Sequence, residues 1–120
     1  MSKASESVTL YHNPACKNSR GALEMLKTRG IDFETIEYLK TPPSRAALEQ
    51  IIQILEGPVA DLVRKDKRFE ELKLKAENYA SKEAVIALLL EHPELMQRPV
   101  VIKQGRALIA RPPEKLEALL

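Results

Sequence analysis

Apolar and polar positions alternate first in Val8-Thr9-Leu10-Tyr11-His12, a run suited to a pleated strand. Asn13-Pro14-Ala15 reads as a turn. The period then lengthens: Ala22, Leu23, Met25 and Leu26 fall on one side of a helix from about Lys17 to Arg29, stopped by Gly30 as a left-handed cap. Phe33 to Leu39 returns to strand spacing. A strand, a helix of about three turns and another strand form a βαβ unit with parallel pairing.

Thr41-Pro42-Pro43 breaks the pattern, and Ser44 is a candidate N-cap for a helix to Leu55 with Leu48, Ile51, Ile52 and Leu55 on one face. Pro58 to Arg64 suggests one or two helical turns, Lys65 to Arg68 a charged loop, and Phe69 to Leu74 a weak helix. Ser81 caps a further helix, Lys82 to Glu91, closed by His92-Pro93. Pro99 to Lys103 and Ala107 to Ala110, joined by Gln104-Gly105, form a hairpin. Pro113 opens a last helix to Leu120. The order is β-α-β, a helical insertion between the second and third strands, then β-β-α. This is an α/β chain with a mixed sheet. An early cysteine between strand and helix makes the arrangement thioredoxin-like. By analogy with that fold, Arg98-Pro99 is a place to look for a cis peptide, although X-Pro bonds are usually trans.

A length of 120 residues with 44% hydrophobic composition supports one core, and with 4% aromatics that core is built from Leu, Ile, Val and Ala. Lys and Arg total 19 against 17 Asp and Glu, so the net charge of +2 provides no long-range field for duplex nucleic acid. The longest apolar run, Ala84 to Leu90, is far short of the ~20 residues that span a bilayer. Residues 1–7 are polar and lack the core of a secretory signal. A cytoplasmic protein with no membrane and no nucleic-acid partner is expected. His12, His92 and Cys16 have no metal-ligand spacing, and nothing suggests a bound cofactor.

The single cysteine forbids an internal disulfide. Cys16 is then either a small buried hydrophobe or a nucleophile that depends on an outside thiol. Its flanks, His12-Asn13-Pro14-Ala15 and Lys17-Asn18-Ser19-Arg20, are polar. At a helix start, free N–H groups and the helix dipole stabilise a thiolate and also bind anions. Lys17 and Arg20 would act in the same direction. His12 could cap a backbone group at a strand end, or tune Cys16 and orient its loop. Ser19 stands where a redox pair would have its second cysteine; a hydroxyl can hydrogen-bond a thiolate but cannot form the disulfide. Arg64, Arg98 and Arg111 each lie beside a structural break, where sheet-based folds gather their sites, and arginine grips two oxygens of an anion at once. Surface solvation is the ordinary fate of such residues, and spacing alone does not select these three.

At these positions the chain strongly resembles the glutaredoxin-coupled arsenate reductase (ArsC) family, in its shorter branch. The resemblance runs through His12-Asn13-Pro14-Ala15-Cys16 with Ser19-Arg20, Tyr38-Leu39, Pro42-Pro43-Ser44-Arg45, Leu62-Val63-Arg64-Lys65, His92-Pro93, Gln97-Arg98-Pro99-Val100-Val101 and Ala110-Arg111-Pro112. It implies a single thioredoxin-like arsenate reductase domain over residues 1–120. It also implies a catalytic Cys16 that attacks arsenate, an oxyanion clamp of Arg64, Arg98 and Arg111, and a His12 that supports the thiolate; Ser19 and Asn13 are further candidate supporting residues of the same loop. Glutathione as co-substrate and glutaredoxin as partner follow from the same resemblance. Lys17 and Asn18 depart from the small residues usual there. Two other readings share parts of this pattern. One is a transcription regulator of the Spx type that binds RNA polymerase, whose redox pair Ser19 would break. The other is a glutathione-linked thiol transferase, which needs Cys16 but no oxyanion clamp.

Overall fold

Val8–His12 forms β1, the strand around which the rest of the sheet is laid in this computed structural model, which describes residues 8–120. Expectations for residues 1–7 lie outside the described residues. β1 pairs in parallel with β2 (Phe33–Glu37) and antiparallel with β3 (Val100–Lys103), which pairs antiparallel with β4 (Arg106–Ile109). The order is β2-β1-β3-β4. The hairpin turn is tight because Gln104 and Gly105 both take positive φ, 51° and 76°.

Side chains alternate across this sheet as the pleat requires. Val8, Leu10, Val101 and Leu108 enter one apolar cluster with Ala22 and Leu26 of α1 (Lys17–Thr28) and with Leu116 and Leu119. Tyr11 and Val100 point the other way, into a larger cluster with α2 (Arg45–Ile54) and α4 (Lys82–Glu91). Both faces are covered, so the central strand β1 is almost wholly buried.

The caps follow the sequence closely. Ser44 and Ser81 accept hydrogen bonds from Ala47 N–H and Ala84 N–H, and Gly30 turns the chain with φ +65°. No helix among the described residues is long and apolar enough to cross a membrane.

Three expectations need correction. The stretch read as a charged loop contains a cap: Asp66 accepts from Phe69 N–H and opens α3 (Lys67–Glu71), which starts earlier than expected. β2 ends at Glu37, and Tyr38-Leu39 leave the strand because Lys40 N–H and Thr41 N–H both turn back to Glu37 O. The last segment is a 3-10 helix, Pro113–Ala118, whose bonds such as Lys115 N–H to Pro112 O and Leu119 N–H to Leu116 O span three residues.

That 3-10 helix lies directly on α1. A Cβ on Gly21 would stand 2.7 Å from Pro113 Cγ, a ring atom with little room to give. Gly21→Ala would gain up to ~1 kcal/mol of helix propensity, against an overpacking cost of about 1–3 kcal/mol. A net destabilisation of about 1 kcal/mol is the expected result, read as a lower urea midpoint with unchanged slope.

Candidate active site

The central strand β1 delivers its last residue, His12, to the end of the sheet where α1 begins. The turn that follows is closed by Cys16 N–H to Asn13 O (2.9 Å) and by Ala15 N–H to Asn13 Oδ1 (3.0 Å). Cys16 is the N-cap of α1, in extended conformation, and its carbonyl accepts from Arg20 N–H. The thiol therefore sits over the free N–H groups of the first turn.

Beneath it lies a buried polar network. Ser19 Oγ shares a 2.6 Å hydrogen bond with His12 Nδ1 and accepts Asn13 N–H at 2.9 Å. His12, Asn13 and Ser19 are all buried. Burial lowers the His12 pKa, opposed by Glu37 and reinforced by Arg20, a shift that favours the neutral imidazole. Ser19 thus ties the end of β1 to the first turn of α1 and holds the cysteine loop between them.

The hairpin brings the arginines. Arg98 lies two residues before β3, and Arg111 two residues beyond the end of β4. Arg111 Nη1 is 3.6 Å from Cys16 Sγ and donates to Arg98 O at 2.9 Å. One guanidinium nitrogen thus contacts both the sulfur and the backbone of the other arginine. Ala110 N–H to Pro99 O (3.0 Å) holds the two segments side by side. The Arg98-Pro99 peptide is cis, and so is Arg111-Pro112, which the sequence reading did not anticipate.

Cys16 is partly buried, and burial by itself pushes its thiol up. The Ser19 N–H, the Arg98 guanidinium and the Asn18 N–H together outweigh that and hold the pKa below the ordinary thiol value. The charge responsible is Arg98, from a distant part of the chain. Lys17 and Arg20 do not contribute in the way their proximity in sequence suggested. Lys17 is exposed, and Arg20 donates to Pro14 O at 2.9 Å.

Arg64 is placed differently. A bridge between Val63 and Met96, with Arg64 N–H to Leu95 O (2.7 Å) and Gln97 N–H to Leu62 O (2.8 Å), sets its backbone against the segment that leads into Arg98. Its guanidinium, however, donates to Asp66 Oδ2 at 2.7 Å and reaches Gln97 Oε1 at 3.5 Å, with no hydrogen bond to Cys16. Burial works to raise the Asp66 carboxyl, but Arg64 and Phe69 N–H hold it below the usual carboxylate range. Sequence reasoning overlooked Asp66. An aspartate three residues before Phe69, at a helix start, was the available signal.

The lowered thiol pKa has a testable sign. Between the folded value and the ordinary ~8.5, the folded chain carries a thiolate while the unfolded chain carries a thiol. Stability contributed by Cys16 is fully present above ~8.5 and is lost as pH falls through the folded value. Iodoacetamide alkylation of the native chain should therefore have its pH midpoint below that of the same chain in urea. Equal midpoints would contradict the activated thiolate.

A cysteine at the junction of a buried strand and a helix, in a mixed four-stranded sheet with helices on both faces, defines a thioredoxin-like protein. The ArsC family model matches residues 11–119. The chain belongs to the ArsC family. It is 40% identical to the Escherichia coli (strain K12) protein YfgD, itself uncharacterized, over 91% of this chain and 92% of that one. It is 37% identical to an arsenate reductase of Neisseria meningitidis serogroup A, over 94% of this chain and 97% of that one. Among solved structures it is similar to an arsenate reductase from Vibrio cholerae, with a TM-score of 0.85 and 37% identity, covering 97% of this chain and 99% of the other.

Proposed function

We propose that the chain is an arsenate reductase that works through a covalent Cys16–arsenate adduct in the cytoplasm. The observation that carries this reading is the approach of Arg111 Nη1 to within 3.6 Å of Cys16 Sγ, with Arg98 lowering the pKa of the same sulfur. A thiolate flanked by two guanidinium groups and a helix start both attracts an oxyanion and attacks it.

The Cys16 thiolate attacks arsenic(V) and one oxygen leaves as water or hydroxide. Arg98, Arg111 and the first-turn N–H groups hold the remaining oxygens and offset the charge that builds on them. Arg64 adds positive charge from the Val63–Met96 bridge while Asp66 orients it. His12, Ser19 and Asn13 keep the loop in position. Because Cys16 is the chain's one cysteine, an outside thiol completes the reaction. Glutathione attacks the Cys16 sulfur, the electron pair of the sulfur–arsenic bond stays on arsenic, and arsenite departs. The two sulfurs are oxidised to a mixed disulfide, which glutaredoxin reduces.

The test is arsenate-dependent NADPH consumption coupled through glutathione reductase. Turnover should require the protein, glutathione and glutaredoxin together. Glutathione-dependent disulfide exchange without arsenate turnover would select a thiol transferase instead.

A further inference from the structure

Two buried polar atoms behind the site make no hydrogen bond: Tyr38 Oη and Arg98 Nε. Tyr38 is completely buried (0% exposed) and packs in the larger core cluster. Phenylalanine would fill that space without the cost of desolvating a hydroxyl. The hydroxyl stands between the Asn13 side chain and the Arg98 guanidinium. Asn13 Oδ1 accepts from Ala15 N–H, and Asn13 acts to lower the Tyr38 pKa, as an amide NH2 donating to the phenol oxygen does. Arginine offers donors only. The Tyr38 oxygen thus has donors on both sides, one from the cysteine loop and one from the segment before β3. Arg111 ties down the Arg98 backbone through its carbonyl, a contact that does not itself orient the guanidinium.

We propose that Tyr38 is a positioning residue: its hydroxyl oxygen, lodged between Asn13 and Arg98, links the cysteine loop to the Arg98 guanidinium and keeps that guanidinium turned toward Cys16. The turn that ends β2 at Glu37 is what carries Tyr38 off the strand and under the site. The proposal rests on the reading that Arg98 serves Cys16. The charged and titratable groups around this oxygen are Arg98 and Cys16, and burial keeps the phenol neutral by pushing its pKa up.

Tyr38→Phe removes the oxygen and keeps the ring. Three measurements on the full chain decide the matter. The iodoacetamide midpoint of Cys16 should rise by about half a pH unit as Arg98 turns away. The KM for arsenate should rise about tenfold, with a smaller change in kcat. Thermal stability should change little, because the relief of burying one hydroxyl less is offset by the two donors left facing the ring. In an Arg98→Ala background, Tyr38→Phe should add nothing to either of the first two effects. An unchanged Cys16 midpoint in Tyr38→Phe, or an effect that persists undiminished in Arg98→Ala, would overturn the link. The alkylation arm needs no substrate. A chain that fails to reduce arsenate therefore refutes the oxyanion reading without obscuring the answer on Tyr38.

Discussion

Cys16→Ser is expected to abolish arsenate reduction, by a factor of more than about a thousand, while the chain stays folded. The hydroxyl occupies nearly the same volume at the same N-cap position, and serine is a better N-cap than cysteine, so helix α1 should be retained. What disappears is the thiolate. A serine hydroxyl stays protonated at pH 7, and the buried His12 turns its Nδ1 to Ser19. The arginines and the first-turn N–H groups remain, so the variant should still bind arsenate. Bound anion without turnover, by calorimetry and the coupled assay together, is the signature of a lost nucleophile. Loss of binding as well would mean that Cys16 is a structural element of the anion site.

The second large effect concerns the clamp. Arg98→Ala and Arg111→Ala should each lower kcat/KM by about a hundredfold, the ~3 kcal/mol typical of one preorganised oxyanion donor. The two should differ in character. Arg98 also depresses the thiol pKa, so its loss raises the Cys16 midpoint and the rate suffers most at low pH. Arg111 additionally holds the Arg98 carbonyl, so its loss loosens the segment that carries Arg98. The double variant should therefore fall short of the sum of the single effects. Lysine should restore either position only in part, because an ammonium cannot grip two oxygens of an anion in the planar fork that a guanidinium offers. Arg64→Ala should cost less, since its guanidinium is already held by Asp66 and Gln97. Wild-type kinetics in both Arg98→Ala and Arg111→Ala would mean the clamp has been misplaced.

The parts of this site that were legible in the sequence are those made by neighbours. Val8 to His12, the Asn13-Pro14-Ala15 turn and the start of α1 form one continuous stretch with strand, turn and helix signals in order, and the N-cap position of Cys16 follows from them. The same locality made the Ser44 and Ser81 caps readable. What acts on the thiol across the sheet was not readable from spacing. Lys17 and Arg20 look like the cations nearest to Cys16, yet Arg98 and Arg111 are the ones that reach it, because β3 pairs directly with β1. The resemblance to arsenate reductases pointed to those two arginines, where a count of positive charges could not. Arg64 shows the limit of that transfer: the resemblance named it as a third clamp arginine, but its ion pair with Asp66 depends on a cap hidden in a charge-rich stretch. Tyr38 was legible only as part of a matching motif. Its burial under the site depends on β2 ending at Glu37, one residue before it, and that end is set by a backbone turn without a strong local signal.

The measurement that bears most directly on the whole account is a crystal structure of the protein soaked with arsenate in the absence of glutathione. The account predicts arsenic bonded to Cys16 Sγ, with its oxygens on Arg98, Arg111 and the N–H groups at the start of α1. Arsenate bound elsewhere, with an unmodified Cys16 and no anion between it and these arginines, would contradict it.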